Sequence, residues 1–350
     1  MRVIPPLEIN TARFTSSTAS EPLSPSAYAG GTTYVVGNIV YVTADHLIYQ
    51  SLVSSNLGNT PSVSPSYWSI VGYIETAYNA GTTYALDDTI SYNHRIYQSI
   101  QASNLAHQPD TSSTWWEDVG ATNKYRCFDI LRNTGTVQAS PLTIVLTPGL
   151  RINSVALLGV IADSIAVSMT SVAGGGTVYN ETFNLSTRFI GDWYDYFFAE
   201  FTFKTAAVVF ELPPYSDGIV TVSLTRATGN ITLGSLVIGS FVDLGKAQYN
   251  AESDALNFST IERDNFGNSV LIPRRTIPKT VQQVRAEAGN TNKIRDVRDA
   301  LNAVPAIWSG LDDNDADFFE ALLILGIYKR FTIDLATPSK VISTIELEEV

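Results

Sequence analysis

Residues 28–72 read YAGGTTYVVGNIVYVTADHLIYQSLVSSNLGNTPSVSPSYWSIVG, and residues 78–120 read YNAGTTYALDDTISYNHRIYQSIQASNLAHQPDTSSTWWEDVG. The second stretch repeats the first. Tyr28 aligns with Tyr78, and Gly31-Thr32-Thr33-Tyr34 with Gly81-Thr82-Thr83-Tyr84. His46, Ile48-Tyr49-Gln50-Ser51, Asn56-Leu57, Pro61 and Trp68 align with His94, Ile96-Tyr97-Gln98-Ser99, Asn104-Leu105, Pro109 and Trp116. A single two-residue difference between Tyr41 and His46 absorbs the change of register. A match this long and ordered is a duplicated module, and each copy is expected to be one supersecondary unit.

Alternating apolar positions within each copy (Tyr34, Val36, Ile39, Val40 and Val42, then Leu47, Tyr49 and Leu52 in the first) predict two or three short strands broken by Gly and Asp turns. Each copy, at roughly 45 residues, lies near the lower limit for a domain that folds without disulfides. Large rings at fixed places must therefore supply its core, and Tyr34, Tyr49 and Trp68, with Tyr84, Tyr97 and Trp116, are the expected core residues. Trp115 and Trp116 are adjacent, so on a strand they face opposite ways. With Trp116 inside, Trp115 and its equivalent Tyr67 are expected outside, as candidate stacking platforms.

The chain has 350 residues, a length that suits two or three domains. Only 16% of residues are charged, which together with plentiful Tyr, Thr, Ser and Asn suits hydroxyl-rich β structure. The net charge of −12 argues against a phosphate-binding surface and hence against nucleic acid. The single cysteine, Cys127, forms no intramolecular disulfide and is read as a buried small residue. The longest apolar runs are too short for a membrane-spanning helix, and no membrane insertion is expected. The first residues lack the apolar stretch of a signal peptide, so synthesis in a cytoplasm is expected.

Residues 1–27, rich in Ser, Thr and Pro, are expected to form an extended N-terminal arm. The modules span 28–72 and 76–120. From 121 to 246, seven or eight apolar runs separated by turn signals such as Pro148-Gly149, Gly174-Gly175-Gly176 and Asp217-Gly218 predict a β-sandwich of jelly-roll type. Residues 247–350 are expected to form a C-terminal assembly region with a polar, irregular start. In it a helix at 292–304 follows from the stripe Ile294, Val297, Leu301 and Val304, with Asn292 as N-cap and Pro305 as terminator. A second helix is expected near Ala316, and closing strands at 331–335 and 341–347. The fold class is thus mainly β: two small tandem modules, a jelly-roll-like sandwich, and a C-terminal region with one or two helices.

The modules resemble the small chitin- or cellulose-binding modules of bacterial glycosidases and phage tail proteins. The resemblance rests on the early aromatic with Gly-Thr-Thr-Tyr, on Ile-Tyr-Gln-Ser, and on Asn56-Leu57-Gly58-Asn59-Thr60-Pro61 leading to Tyr67-Trp68-Ser69-Ile70-Val71-Gly72. It implies a ligand lying on exposed aromatics. This chain departs from that pattern after Tyr49 and Tyr97, where Gln-Ser-Leu-Val and Gln-Ser-Ile-Gln carry no aromatic. Residues 121–350 resemble phage tail and virion structural proteins in Trp193–Phe198, Leu212–Gly218, Asn257–Thr260 and Trp308–Asp313.

Little in the sequence points to catalysis. The three histidines, His46, His94 and His107, all lie in the modules, so the large domain can hold no Ser-His-Asp or Cys-His pair. His46 and His94 fall at equivalent strand turns and are read as turn residues. The acidic run Asp312–Asp317 fails the EF-hand pattern, because the sixth and twelfth places counted from Asp313 are Phe318 and Ile324. Its acids are read as capping the helix near Ala316. Glu117-Asp118 and Asp192 with Asp195 are the least poor carboxylate pairs for glycoside hydrolysis. Trp193–Phe198 is read as a core strand or an interface patch.

No catalytic residue, metal or cofactor is therefore expected. The expected role is a non-enzymatic virion protein of the tail (ring, collar or tip), made in the bacterial host cytoplasm. Its expected partners are copies of itself, other tail proteins, and host cell-surface polysaccharide. A polysaccharide-active enzyme with accessory modules is the alternative, and a cellular adhesin a third.

Overall fold

The computed structural model describes the chain apart from residues 21–25, 43–46, 74–75, 132–133, 188–190, 200, 264–268, 317 and 336–337. The fold is mainly β. It divides into two compact units, Ala19–Asp129 and Met1–Thr18 with Ile130–Val350.

The two copies in the smaller unit share one topology. In the first, strands Ser26–Ala27, Ile39–Val42, Leu47–Ser51 and Trp68–Tyr73 lie side by side in that order; in the second, Thr76–Ala77, Thr89–Tyr92, Arg95–Ser99 and Trp116–Ala121 do the same. The short first strand is parallel to its neighbour and the other pairs are antiparallel. Both copies carry a bulge at the same place, after Ile48 and after Ile96. In the second copy the central hairpin turns on Asn93 and His94, with φ of 47° and 67°. Two left-handed residues in a two-residue loop match the twist of the flanking strands. His94 is thus a turn residue, and His46 lies outside the described residues. Residues Ala121–Asp129, expected to open the sandwich, belong to the module unit, and Cys127 is buried there.

In the larger unit, one sheet has the order Thr136–Ala139, Asn230–Gly239, Ser154–Ile161, Ala206–Phe210, all antiparallel. The facing sheet has the order Thr177–Asn184, Ser164–Thr170, Ile219–Thr225, Leu142–Leu146. Eight strands exchanged between two sheets in this order form the double Greek key of a jelly roll. In the second sheet Leu142–Leu146, Ser164–Thr170 and Ile219–Thr225 alternate: Ile165, Val167 and Met169, for example, are inside, and Ser164, Ala166 and Ser168 are half-buried. The first sheet does not alternate. Ser154–Val160 is buried almost throughout, because Ala156, Leu158, Val208 and Val237 pack away from the sandwich onto Ile307, Leu323 and Leu325.

Those residues belong to a third layer, an antiparallel sheet ordered Val242–Asp243, Arg2–Ile4, Ala306–Ser309, Leu323–Asp334, Lys340–Glu349, Thr276–Glu287, Lys246–Ala247, with Glu252–Asn257 also on Thr276–Glu287. On this layer lies helix α2, Thr291–Ala300, the second of the chain's two α-helices among the described residues. It packs Ile294 and Leu301 beside Val284, Trp308 and Ile345.

Several expectations are corrected here. The arm expected over 1–27 is not one: Val3 and Ile4 are fully buried in the third layer, and Phe14–Ser17 adds a strand beside Leu142–Leu146. The start of the 247–350 region is not irregular, since Thr276–Glu287 is a twelve-residue strand. That region is also built into one compact unit with the sandwich. The helix expected at 292–304 runs Thr291–Ala300 with Asn290 at its N-cap, and Val304 is 38% exposed. Among the described residues no helix begins at Ala316. A single 3₁₀ turn, Glu320–Leu322, leads into one long strand, Leu323–Asp334. The turn expected at 263–268 lies outside the described residues from Asp264 onward. Among the described residues no helix is long and apolar enough to cross a membrane.

Candidate functional site

The modules are held by the same hydrogen bonds twice over. The six aromatics Tyr34, Tyr49, Trp68, Tyr84, Tyr97 and Trp116 are all buried. Four of them have their polar ends satisfied, as buried Tyr and Trp require. The Tyr34 hydroxyl accepts from the Ala29 amide at 2.8 Å, and that of Tyr84 from the Asn79 amide at 2.7 Å. The indoles of Trp68 and Trp116 donate to the carbonyls of Asn59 and His107, each at 2.8 Å. Asn56 and Asn104, also buried, donate to Ser51 and Ser99 at 3.0 and 2.9 Å. Asn56 and Asn104 also donate to the carbonyls of Tyr67 and Trp115, each at 3.3 Å, which fixes the loop carrying the outer ring.

That loop places Tyr67 and Trp115 next to the core tryptophans but turned outward. In the first module Tyr67 is 41% exposed, and its carbonyl accepts from the Leu52 amide at 2.9 Å. In the second, the Trp115 carbonyl accepts from Ile100 at 3.0 Å. Leu52 and Ile100 are both exposed. They lie within the two stretches after Tyr49 and Tyr97 that carry no aromatic, so the residue bonded through its backbone to each outer-ring residue is aliphatic.

The two rings differ in what covers them. Trp115 is half-buried against its module core rather than exposed. One of its faces is stacked on His107, with centroids 3.9 Å apart and planes 11° from parallel. His107 is held by Nδ1 at 3.0 Å from Asn104 Oδ1, the amide whose other end is bonded to Ser99. The expectation of a bare platform at Trp115 is thus corrected to a two-ring His107–Trp115 surface. Asn59 occupies the equivalent place in the first module and makes the equivalent bond to Asn56 at 2.9 Å, but brings no ring. Aligning Asn59 with His107 in the sequence would have flagged this position.

Elsewhere the singled-out acids have local partners. Asp118 accepts from Arg95 and from the Gly120 amide. Asp192 and Asp195 cap a short helix, described below. The run from Asp312 clamps the edge of the jelly roll. Asn314 takes both hydrogen bonds of Val208 (N–H to Oδ1 at 2.9 Å, Nδ2 to C=O at 2.8 Å), and Glu320 accepts from the amides of Thr205 and Ala206. The edge strand is thereby paired without a neighbouring strand. Asp312 and Asp315 pair with Arg2 and Lys204 at 3.2 and 2.6 Å, along a cleft of about 600 Å³. Asp317 lies outside the described residues. Among the described residues, no group of three or more His, Cys, Asp or Glu is placed to hold a metal ion.

Compared with models of known protein families and with curated proteins, the chain matches none.

Proposed function

We propose that this chain is a non-enzymatic structural protein of a phage virion, a tail component that self-assembles through its jelly-roll body and displays the paired modules. The modules contact host cell-surface polysaccharide or dock other tail proteins. The observation that carries the reading is the doubled outer surface: the same bonded scaffold turns Tyr67 with Leu52, and Trp115 with His107 and Ile100, outward at one position of each module. A flat ring bordered by aliphatic groups suits the apolar face of a pyranose, as aromatic stacking does in other recognition sites. Two weak sites on one chain, multiplied by the copies in an assembly, reach useful avidity with no strong single contact. The jelly roll is compatible with this role, being shared by viral capsid and lectin domains, but a fold alone does not carry a function.

Immunogold labelling of phage particles from a producing host, with antibody to the full chain, tests the placement. Label on the tail is expected. Particles without label would remove the virion reading and leave a free adhesive protein.

A further inference from the structure

Between strands Thr177–Asn184 and Ala206–Phe210 the jelly roll carries an excursion with an unusual tip. A two-strand stem, Ser186–Thr187 with Thr202–Phe203, leads to helix α1, Trp193–Phe198. The expectation of a core strand here is corrected: Trp193–Phe198 is helical and buries no side chain. Asp192 accepts from the Asp195 amide at 2.9 Å, and Asp195 accepts from Gly191 at 3.0 Å. This reciprocal cap starts the helix and turns both carboxylates back onto its first turn. The other residues of α1 are all aromatic: Trp193, Tyr194, Tyr196, Phe197 and Phe198. None is buried, and their exposures run from 49% to 79%. The rings form one connected cluster, with Tyr194–Phe198 at 4.9 Å and Tyr196–Phe197 at 5.1 Å. Phe201 and Phe203 extend it down the stem at 62% and 53% exposed.

A helix with aromatic rings at five of its six positions is normally a buried one. At 150–250 Å² per ring, the exposed part of this cluster amounts to roughly 900 Å². Monomeric proteins seldom present a contiguous apolar patch larger than a few hundred Å². The area does match the ~800 Å² per partner of a standard protein–protein interface. A lipid surface fits less well, because two carboxylates, Asp192 and Asp195, sit on the first turn beside the rings and are disfavoured at anionic headgroups. The neighbouring cleft, lined by Arg2, Lys204 and their acidic partners, is no seat for a cluster of rings.

We propose that the α1 tip is the self-association surface of this chain, and that its occupant is the same tip of a second copy, packed about a two-fold axis. Such a contact is self-complementary, and both sides bring equal apolar area. The inference rests on the self-assembling part of the proposed function and is independent of glycan binding.

Sedimentation velocity on the full chain tests it, across a wide concentration range, for wild type and for Trp193→Ser/Phe197→Ser/Phe198→Ser. Because α1 buries no side chain, the triple variant should melt with the wild type. Self-association should weaken about a hundredfold. As a control for general stickiness, Ile261→Ser/Leu271→Ser removes two exposed apolar residues elsewhere and should change nothing. In a separate Phe197→Cys variant, mild oxidation should give covalent dimers. A wild type that associates as strongly as the triple variant would place the contact elsewhere and leave self-assembly standing. A wild type that stays monomeric would sink both. Tip-dependent flotation with phosphatidylcholine vesicles, without self-association, would make a bilayer the occupant and overturn the proposal.

Discussion

Trp116→Ala and Trp115→Ala should have opposite consequences, although the residues are neighbours. Trp116 is 2% exposed and sits 5.2 Å from Tyr84 and 6.2 Å from Tyr78. Truncating a buried aromatic costs about 3–5 kcal/mol. The substitution also leaves the His107 carbonyl without the indole that donates to it. A module of this size holds only about 2–7 kcal/mol in total, at the usual stability per residue. Trp116→Ala therefore removes most or all of the second module's stability. Trp115→Ala loses a ring stack of about 0.5–1.5 kcal/mol and part of a half-buried surface. It should leave the module folded. Hydrogen exchange on the full chain, read by mass spectrometry, separates the two cases. Amides of Thr89–Tyr92 and Arg95–Ser99 should lose protection in Trp116→Ala and keep it in Trp115→Ala, with Ser164–Thr170 of the jelly roll as internal reference. Unchanged protection in Trp116→Ala, or greater loss in Trp115→Ala, would refute the assignment of the two faces.

Asn314→Ala should cost about 1–3 kcal/mol by leaving the Val208 amide and carbonyl unpaired at a sheet edge. It should also raise aggregation on heating, which light scattering during a thermal ramp would detect. Burial, and then the hydrogen bond to Glu181, hold the Tyr179 phenol protonated above its usual range. The folded chain then keeps a proton that the unfolded chain releases from about pH 10. The stability this group contributes is full below that pH and is lost as the pH rises further. Denaturant melts should show this alkaline loss in wild type and less of it in Tyr179→Phe.

The modules were legible because the chain states them twice. Some residues kept in both copies, such as Asn56 and Asn104 with Ser51 and Ser99, turn out to close the same side-chain bond twice. The jelly roll was legible from alternation in strands such as Ser164–Thr170, and from turns such as Gly174–Gly176. What escaped reading depends on distant partners. Arg2–Ile4 is too short to register as a strand, and its place is set by Ala306–Ser309 some three hundred residues on. Thr276–Glu287 was hidden because it buries Thr280 and Gln282 where an apolar pattern would be sought. Gln282 is admitted to the core by donating to Thr280 and to the Leu322 carbonyl, each at 3.2 Å. The run Leu323–Ile327 carries no helical period, and the acids before it, Asp312, Asp315 and Glu320, are drawn to Arg2, Lys204 and a strand edge rather than to a helix end. At the candidate site, the outward turn of Tyr67 followed from setting Trp68 inside, although Tyr67 lies in the turn before Trp68–Tyr73 rather than on the strand that the alternation assumed. The lid over Trp115 did not, because it depends on a His107 rotamer that only the Asn104 contact sets.

Binding of the full chain to a panel of insoluble and cell-surface polysaccharides is the most direct test of glycan contact through the paired modules. Wild type should be retained by at least one polysaccharide, and Tyr67→Ala/Trp115→Ala should lose about tenfold or more in affinity with its melting behaviour kept close to wild type. Retention of the double variant equal to wild type, or no retention of wild type by any polysaccharide, would contradict it and turn the outer rings into docking surfaces for another protein.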